Sequence, residues 1–441
     1  MYNYMSKVRL LIMLLCASLW AEGSYAQNSY VLTLEQMYAL ADENSKSLKI
    51  EDAAVAEAQQ GVKVAQNGYL PDIDISLSAS YLGNGSLTDR DFSNGQCIKM
   101  PQFGNNFAIQ ATQLIYGGGA VTNGVAMARL KEEMADVNRE AARSRIRFML
   151  TGFYLDLYKL QNVLKVYERN IELAKVVIED TKARNKAGVA LQNDVTRYEL
   201  QLKNLELARR RTINSIEILN YDLATMLGLP ADRQIVPDTT LIAQTLPMQD
   251  LAYWQRLAQT DAHAVRQSAL AVEMGEYGEK LARAERRPSV ALIAANHFDG
   301  PITIEVPTLN KNYNYWHVGV GVSFKISSLY KANKNIRQAQ YNTMLSRRRQ
   351  DDALEQVSLA MQSDYTKYME AYEEVATLEK SVQLANENYG VIENRYRNDI
   401  VLVTDMLDAS NQLLDAELQL ANSRINVIFN YYKLKNTSGN L

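Results

Sequence analysis

Arg184-Asn-Lys-Ala-Gly188-Val-Ala-Leu191-Gln-Asn-Asp194-Val-Thr-Arg-Tyr198-Glu-Leu-Gln201-Leu202 is echoed later in the chain. The echo reads Arg395-Tyr-Arg-Asn-Asp399-Ile-Val-Leu402-Val-Thr-Asp405-Met-Leu-Asp408-Ala-Ser-Asn-Gln412-Leu413. An offset of 211 residues aligns Arg184 with Arg395, Asp194 with Asp405 and Gln201 with Gln412. The match continues through Glu206 and Glu417, Tyr221 and Tyr432, and Leu223 and Leu434. A repeat this long implies two similar halves.

On both sides of the repeat, apolar residues recur at spacings of three and four. In the first half they are Leu150, Phe153, Leu157, Leu160, Leu164, Tyr167, Ile171, Ala174 and Ile178. In the second half they are Ala371, Val375, Leu378, Val382, Ala385, Tyr389, Ile392 and Tyr396. Only a period near 3.5 keeps one stripe facing a neighbour over many turns, so both are coiled-coil seams. Val195, Tyr198, Leu202 and Leu205, and later Met406, Ala409, Leu413 and Ala416, continue them after each copy of the motif. No proline interrupts residues 120–185 or 332–436. Such helices reach roughly 100 Å at 1.5 Å per residue, more than one core requires. Each turns back at the repeated motif. Gly188 suits the left-handed turn of the first tip. Asp399 takes that place at the second tip, with Asn398 as a second candidate.

Between the helices the period changes to two. Ile73, Ile75, Leu77, Ala79 and Tyr81 alternate with Asp74, Ser76, Ser78 and Ser80. Trp316, Val318, Val320, Val322, Phe324 and Ile326 alternate with His317, Gly319, Gly321, Ser323 and Lys325. Each reads as a strand with one apolar and one polar face. Weaker strands are expected over 105–116 and 289–298, giving one hairpin over about 71–116 and another over about 288–326. Pro71 and Pro288 mark the change from helix to strand. Strands of ~10 alternating residues are long enough to cross an outer membrane. Tyr69, Tyr81, Phe107, Tyr116, Tyr313, Tyr315 and Trp316 cluster near their ends like an interfacial girdle. Four strands close no barrel, so either the hairpins pack on a soluble core or several protomers share one barrel. The export signal and the oversized helices favour the shared barrel.

That signal is residues 1–26. Lys7 and Arg9 precede an apolar run from Leu10 to Trp20, and Ser24-Tyr25-Ala26 offers a cleavage site before Gln27. The run is about half the ~20 residues a spanning helix needs. Leu15 before Cys16 argues against a lipoprotein. Cys97 is then alone in the mature chain, which excludes an internal disulfide. The first repeat is expected over 27–230, a linker over 231–250 and the second repeat over 251–441. A net charge of -3 with 22% charged residues provides no basic face for nucleic acid. Enzyme signals fail. Gly117-Gly118-Gly119 lacks the ending of a phosphate loop. His263, His297 and His317 have no metal-like spacing.

With the repeat, the paired hairpins and the tips in hand, the chain resembles the TolC family of outer-membrane channel-tunnel proteins. Tyr396-Arg397-Asn398-Asp399-Ile400 followed by Asp405-Met-Leu-Asp408 is similar to the family's second tip, Tyr-Arg-x-Gly before Asp-x-x-Asp. Ala187-Gly188-Val189-Ala190-Leu191 resembles the first tip, and Leu223-Ala-Thr-Met-Leu227-Gly228-Leu229-Pro230 the exit from the first half. Leu114-Ile-Tyr-Gly117-Gly118-Gly119 resembles the strand-to-helix corner.

The resemblance implies a mainly α fold with a membrane β-barrel part. Three chains would share a 12-stranded barrel in the outer membrane above a periplasmic α-barrel. It implies a passive exit duct without cofactors, opened by a periplasmic adaptor and an inner-membrane transporter. Asp405 and Asp408, three apart on one helix face, would form two carboxylate rings at a pore constriction open to divalent block. Without the resemblance they read as solvated surface carboxylates. Asp194, Tyr396 and Arg397 would make closed-state tip contacts. Gly188, Val189, Ala190, Leu191, Asp399, Ile400, Val401 and Leu402 would dock the adaptor. The family often places an arginine where this chain has Val401, so packing is expected to replace an electrostatic latch. Small toxic compounds are the expected cargo. A duct for secreted polypeptides has the same fold, and a soluble coiled-coil scaffold is the reading from another class.

Overall fold

The computed structural model describes residues 29–230, 232–238, 246–305, 308–398 and 400–441. The expected signal segment and Asp399 lie outside the described residues. The chain divides into two compact units, neither continuous in sequence.

One unit contains the chain up to Leu48, Arg143–Ala258 and Ala360–Leu441. The other contains Lys49–Ala142 and Gln259–Leu359. Strand β1 (Ser29–Leu32) and helix α1 (Leu34–Asn44) open the first unit, and α2 (Lys46–Gln66) follows. Thr33 starts α1 with a capping box. Its hydroxyl accepts from the Gln36 amide at 3.2 Å, and the Gln36 side chain accepts from the Thr33 amide at 3.1 Å.

The two long helices are α3 (Ala120–Lys186, 67 residues) and α7 (Ser328–Arg397, 70 residues). Each is followed by a shorter return helix, α4 (Gln192–Leu227) and α8 (Val403–Thr437). The seam residues expected from the sequence are buried or partly buried. Leu150 and Leu157 are fully buried on α3, and Ala371 and Leu378 on α7 and Met406 and Ala409 on α8 are buried. Gly228, left-handed at φ +70°, ends α4, and the Leu229 amide reaches the Ala224 carbonyl at 2.8 Å.

The core of this unit gathers Leu32, Met37, Leu150, Tyr154, Leu157, Leu223, Leu227 and Ile235. Strand β6 (Gln234–Pro237) pairs parallel with β1 at its edge. The Tyr154 hydroxyl fixes that edge, donating to the Leu32 carbonyl at 2.7 Å and accepting from the Asp238 amide at 2.7 Å.

In the other unit, β2 (Asp72–Tyr81), β5 (Phe103–Gly117), β7 (Ser289–Gly300) and β8 (Tyr313–Ser323) form one antiparallel sheet in the order β2-β5-β7-β8. A small ribbon of β3 (Gly85–Leu87) and β4 (Gln96–Ile98) decorates the first hairpin. The register aligns like with like. Ile75 lies opposite Ile109 and Leu77 opposite Phe107. Phe107 lies opposite Phe298, and Leu292 opposite Val320. These share the sheet face of Val318 and Val322, because side chains alternate across a strand. Asp74, Ser76, Ser78, Asn106, Gln110, His297 and His317 occupy the other face.

Helices α5 (Leu251–Asp261) and α6 (His263–Ala284) lead into β7. Helix α6 packs against α3 through Leu270, Met274 and Tyr277 on Leu130, Met134 and Val137. Between β5 and α3, Gly118 holds φ +67° and Gly119 φ +90°. A Cβ on Gly118 would stand 2.8 Å from the Ala284 carbonyl oxygen, so the corner needs glycine for both space and conformation. Among the described residues, no helix is long and apolar enough to cross a membrane.

Candidate functional site at the hairpin tips

The two tips repeat each other in hydrogen bonds as well as in sequence. At the first, the Gly188 amide donates to the Asn185 carbonyl and the Val189 amide to the Arg184 carbonyl, each at 3.0 Å. Gly188 has φ +76°, as expected. At the second, the Asn398 and Ile400 amides donate to the Arg395 carbonyl at 3.2 and 2.9 Å. Asn398 does not adopt the left-handed conformation, which the sequence left open between it and Asp399.

Both return helices start alike. The Asp194 carboxylate accepts from the Leu191 amide at 3.0 Å, and the Asp405 carboxylate from the Leu402 amide at 3.0 Å. The Asp194 and Asp405 amides donate back to the Leu191 and Leu402 carbonyls. A leucine has no side-chain acceptor, so the aspartate performs the side-chain half of the cap, at the helix end that favours negative charge. Asp405 and Asp408 are both exposed. Asp408 accepts from the Gln412 side chain at 2.7 Å.

Beneath the tips the two hairpins share an apolar cluster of Ile178, Tyr198, Tyr389, Tyr396, Val403, Met406, Ala409 and Leu413. Val401 packs against it. The charged contact comes from the other tip. Arg184 at the end of α3 donates to the Tyr396 carbonyl at 3.2 Å and to the Arg397 carbonyl at 2.7 Å. Its guanidinium lies 5.0 Å from the centre of the Tyr396 ring, and Asp180 accepts its Nε–H at 3.0 Å. The cation therefore caps the negative end of α7.

The Tyr396 hydroxyl lies 3.2 Å from the Thr181 hydroxyl. Arg397 contributes its carbonyl, while its side chain pairs with Glu393 one turn back at 2.7 Å. Asp194 stays with its own helix. Sequence reasoning thus finds Tyr396 in the seam between the hairpins but misses Arg184. Its place at the head of the repeat and in the last turn of α3 was the available signal.

Burial pushes the Tyr389 phenol up to about 12, with the Glu393 charge adding to the effect. It pushes Tyr198 higher still, helped by the neighbouring phenols Tyr396 and Tyr389. The outer surface of the tips is apolar and open. Leu191 is 71% exposed and Ile400 69%, and Val189 and Leu402 are also exposed.

A family profile described as outer membrane efflux protein matches residues 37–228 and 254–440. The chain belongs to the outer membrane efflux protein family. That family is one of channels rather than enzymes, and its place is the outer membrane, extending into the periplasm. Among curated relatives, the outer membrane efflux protein BepC of Brucella suis is 23% identical over 414 residues, covering 93% of this chain and 86% of BepC. TolC of Escherichia coli is 22% identical over 453 residues, covering 98% and 87%.

Solved structures carry the same fold. VceC of Vibrio cholerae superposes with a TM-score of 0.77 at 17% identity, covering 92% of this chain and 96% of that one. The open-state MtrE channel of Neisseria gonorrhoeae gives 0.70 at 16% identity, covering 92% and 88%. The mainly helical, TolC-like fold that the resemblance implies is the fold of this family.

Proposed function

We propose that three copies of this chain form the exit duct of a tripartite efflux pump, conducting small toxic compounds passively across the periplasm and outer membrane. One observation carries the reading: the four-stranded sheet ends in two open edges. Strands β2 and β8 are its edge strands. Leu77 on β2 is 78% exposed, and Val318, Val320 and Val322 on β8, at the opposite edge, are exposed on the same face. In lipid every backbone polar group needs a partner, so an edge that carries apolar side chains into a bilayer must be closed by another strand.

The sheet is antiparallel throughout, so β8 of one copy runs antiparallel to β2 of the next. Two copies would give eight strands, whose interior is filled by side chains, whereas larger barrels leave an aqueous channel. Three copies give the twelve strands the family resemblance implies. The polar face of β2 and β5 then lines the lumen.

The tips are the docking surface for the periplasmic adaptor, through Gly188, Val189, Ala190 and Leu191 on one side and the segment Asp399, Ile400, Val401 and Leu402 on the other. The inner-membrane transporter supplies the energy through that adaptor. Asp405 and Asp408 line the constriction. The test is the mass of the detergent-purified protein. Three chains per particle, extracted only with detergent, is the expected result. A monomer released without detergent would overturn the duct in favour of a soluble scaffold.

A further inference from the structure

One group of side chains on the polar face of the four-stranded sheet has no part in closing a barrel. Tyr313, Tyr315 and His317 follow one another at every second position of β8, and His297 stands opposite Tyr315 on β7. Alternation sets them on the face opposite Trp316 and Val318, so Tyr313 and Tyr315 stand apart from the interfacial girdle expected of them. Their rings form one column. Tyr313 stacks on Tyr315 with centroids 5.2 Å apart, Tyr315 on His297 at 5.0 Å, and His297 on His317 at 5.9 Å. The planes differ by 23°, 16° and 4°. These spacings are those of offset-stacked aromatic pairs.

The column stops where the side chains stop. The next two residues of β8 on this face are Gly319 and Gly321. A Cβ on Gly319 would meet nothing within 4 Å. The floor beside His317 is therefore open, and Ile293 of β7 lies opposite Gly319. His317 and Gly319 are both exposed. Cross-strand pairing accounts for His297 against Tyr315. It does not account for a column that ends in an exposed ring beside bare backbone. The same face is acidic. Asp72 and Asp74 on β2 and Asp299 on β7 belong to it, and its strand positions carry no lysine or arginine.

We infer that Gly319 is the floor, and His317 the wall, of a luminal binding site for planar aromatic cations. The guest lies where Gly319 has no side chain and extends the column by one ring. Its flat face stacks on His317, and its charge is drawn by the ring faces and the carboxylates. The inference rests on the ring of copies proposed above, which turns this face to the lumen and sets β2 of the next copy beside β8. On that face β2 carries only Asp72, Asp74, Ser76, Ser78 and Ser80. Whatever the register between copies, the neighbouring strand offers short side chains and leaves the floor open. A flat cationic compound is held there in transit, and a cation without a ring is not.

Ethidium, a planar aromatic cation, and tetraethylammonium, a cation of the same charge without rings, test the site in single-channel recordings of the detergent-purified full chain. Ethidium should interrupt the current for longer than tetraethylammonium does. Gly319→Leu fills the floor at a position where a side chain fits, and His317→Ala removes the wall. The first narrows the lumen and the second widens it. Each should nevertheless shorten the ethidium blocks about three- to tenfold and leave those of tetraethylammonium unchanged. A conducting trimer that ethidium blocks no longer than tetraethylammonium does keeps the duct and overturns the site. Ethidium blocks that either variant leaves unchanged overturn it as well. A folded trimer that inserts and passes no current overturns the duct, and the site with it.

Discussion

Arg184 joins two helix ends with one side chain, and its loss is specific. Arg184→Ala removes two charge-assisted hydrogen bonds to carbonyls and the contact with the Tyr396 ring. Charge-assisted bonds contribute about 1.5–3 kcal/mol each when well shielded, and at this half-exposed tip the lower end applies. Amide hydrogen exchange over residues 393–398 should quicken in the variant while the Tyr154 region stays protected. Arg184→Lys should restore only part of the protection, because an ammonium cannot span both carbonyls in one plane.

Asp405 has two separable duties. Asp405→Asn keeps an oxygen for the Leu402 amide and loses the charge, so tip stability should change little. Asp405→Ala also loses the hydrogen bond and should cost about 0.5–1.5 kcal/mol of local stability, read by the same exchange experiment. At this scale the sequence was half legible. Aspartates three residues into each return helix announce a helix start. Nothing in the chain says which helix end a guanidinium will reach, because that depends on a neighbour far away in sequence.

Among the elements, the strands make the sharpest prediction. Leu77 and Ser78 are adjacent residues on opposite faces of β2. Leu77→Arg places a charge on the lipid face and should cost about 2–4 kcal/mol if near the bilayer midplane. Ser78→Arg faces the lumen and should fold like the parent. The folded fraction recovered in lipid vesicles measures both.

The tip coiled coil carries a pH dependence. Burial holds the Tyr198 and Tyr389 phenols above their ordinary value. The unfolded chain ionises at about 10, where the folded one stays neutral. Stability is therefore flat below that pH and is lost as pH rises from about 10 to about 12 for Tyr389. Tyr389→Phe should remove its share of the alkaline loss in thermal melts.

Period two placed the strands well, since alternation follows directly from the pleat. The end of β8 did not follow. The alternation continues to Ile326, but pairing stops at Ser323. The Ser328 amide bonds to the Lys325 carbonyl at 2.8 Å, turning the chain into α7. The irregularity between Leu114 and Tyr116 in β5 is equally silent in the sequence, because a bulge is fixed by the partner strand.

For the whole molecule, duplication was the legible part. One repeat at a fixed offset gave the two hairpins, the two tips and the long helices between them. The compact units were not legible. Residues up to Leu48 join Arg143–Ala258 and Ala360–Leu441 because Leu32, Met37 and Leu48 complete a core with residues more than a hundred positions away. Period and composition do not encode such pairings.

The duct itself is tested most directly by single-channel recording of the detergent-purified protein in a planar bilayer, with and without divalent cations, beside Asp405→Asn plus Asp408→Asn. A long-lived, cation-selective step, blocked by divalents and released from block in the double variant, is the predicted result. Folded, trimeric protein that inserts and passes no current would contradict the account.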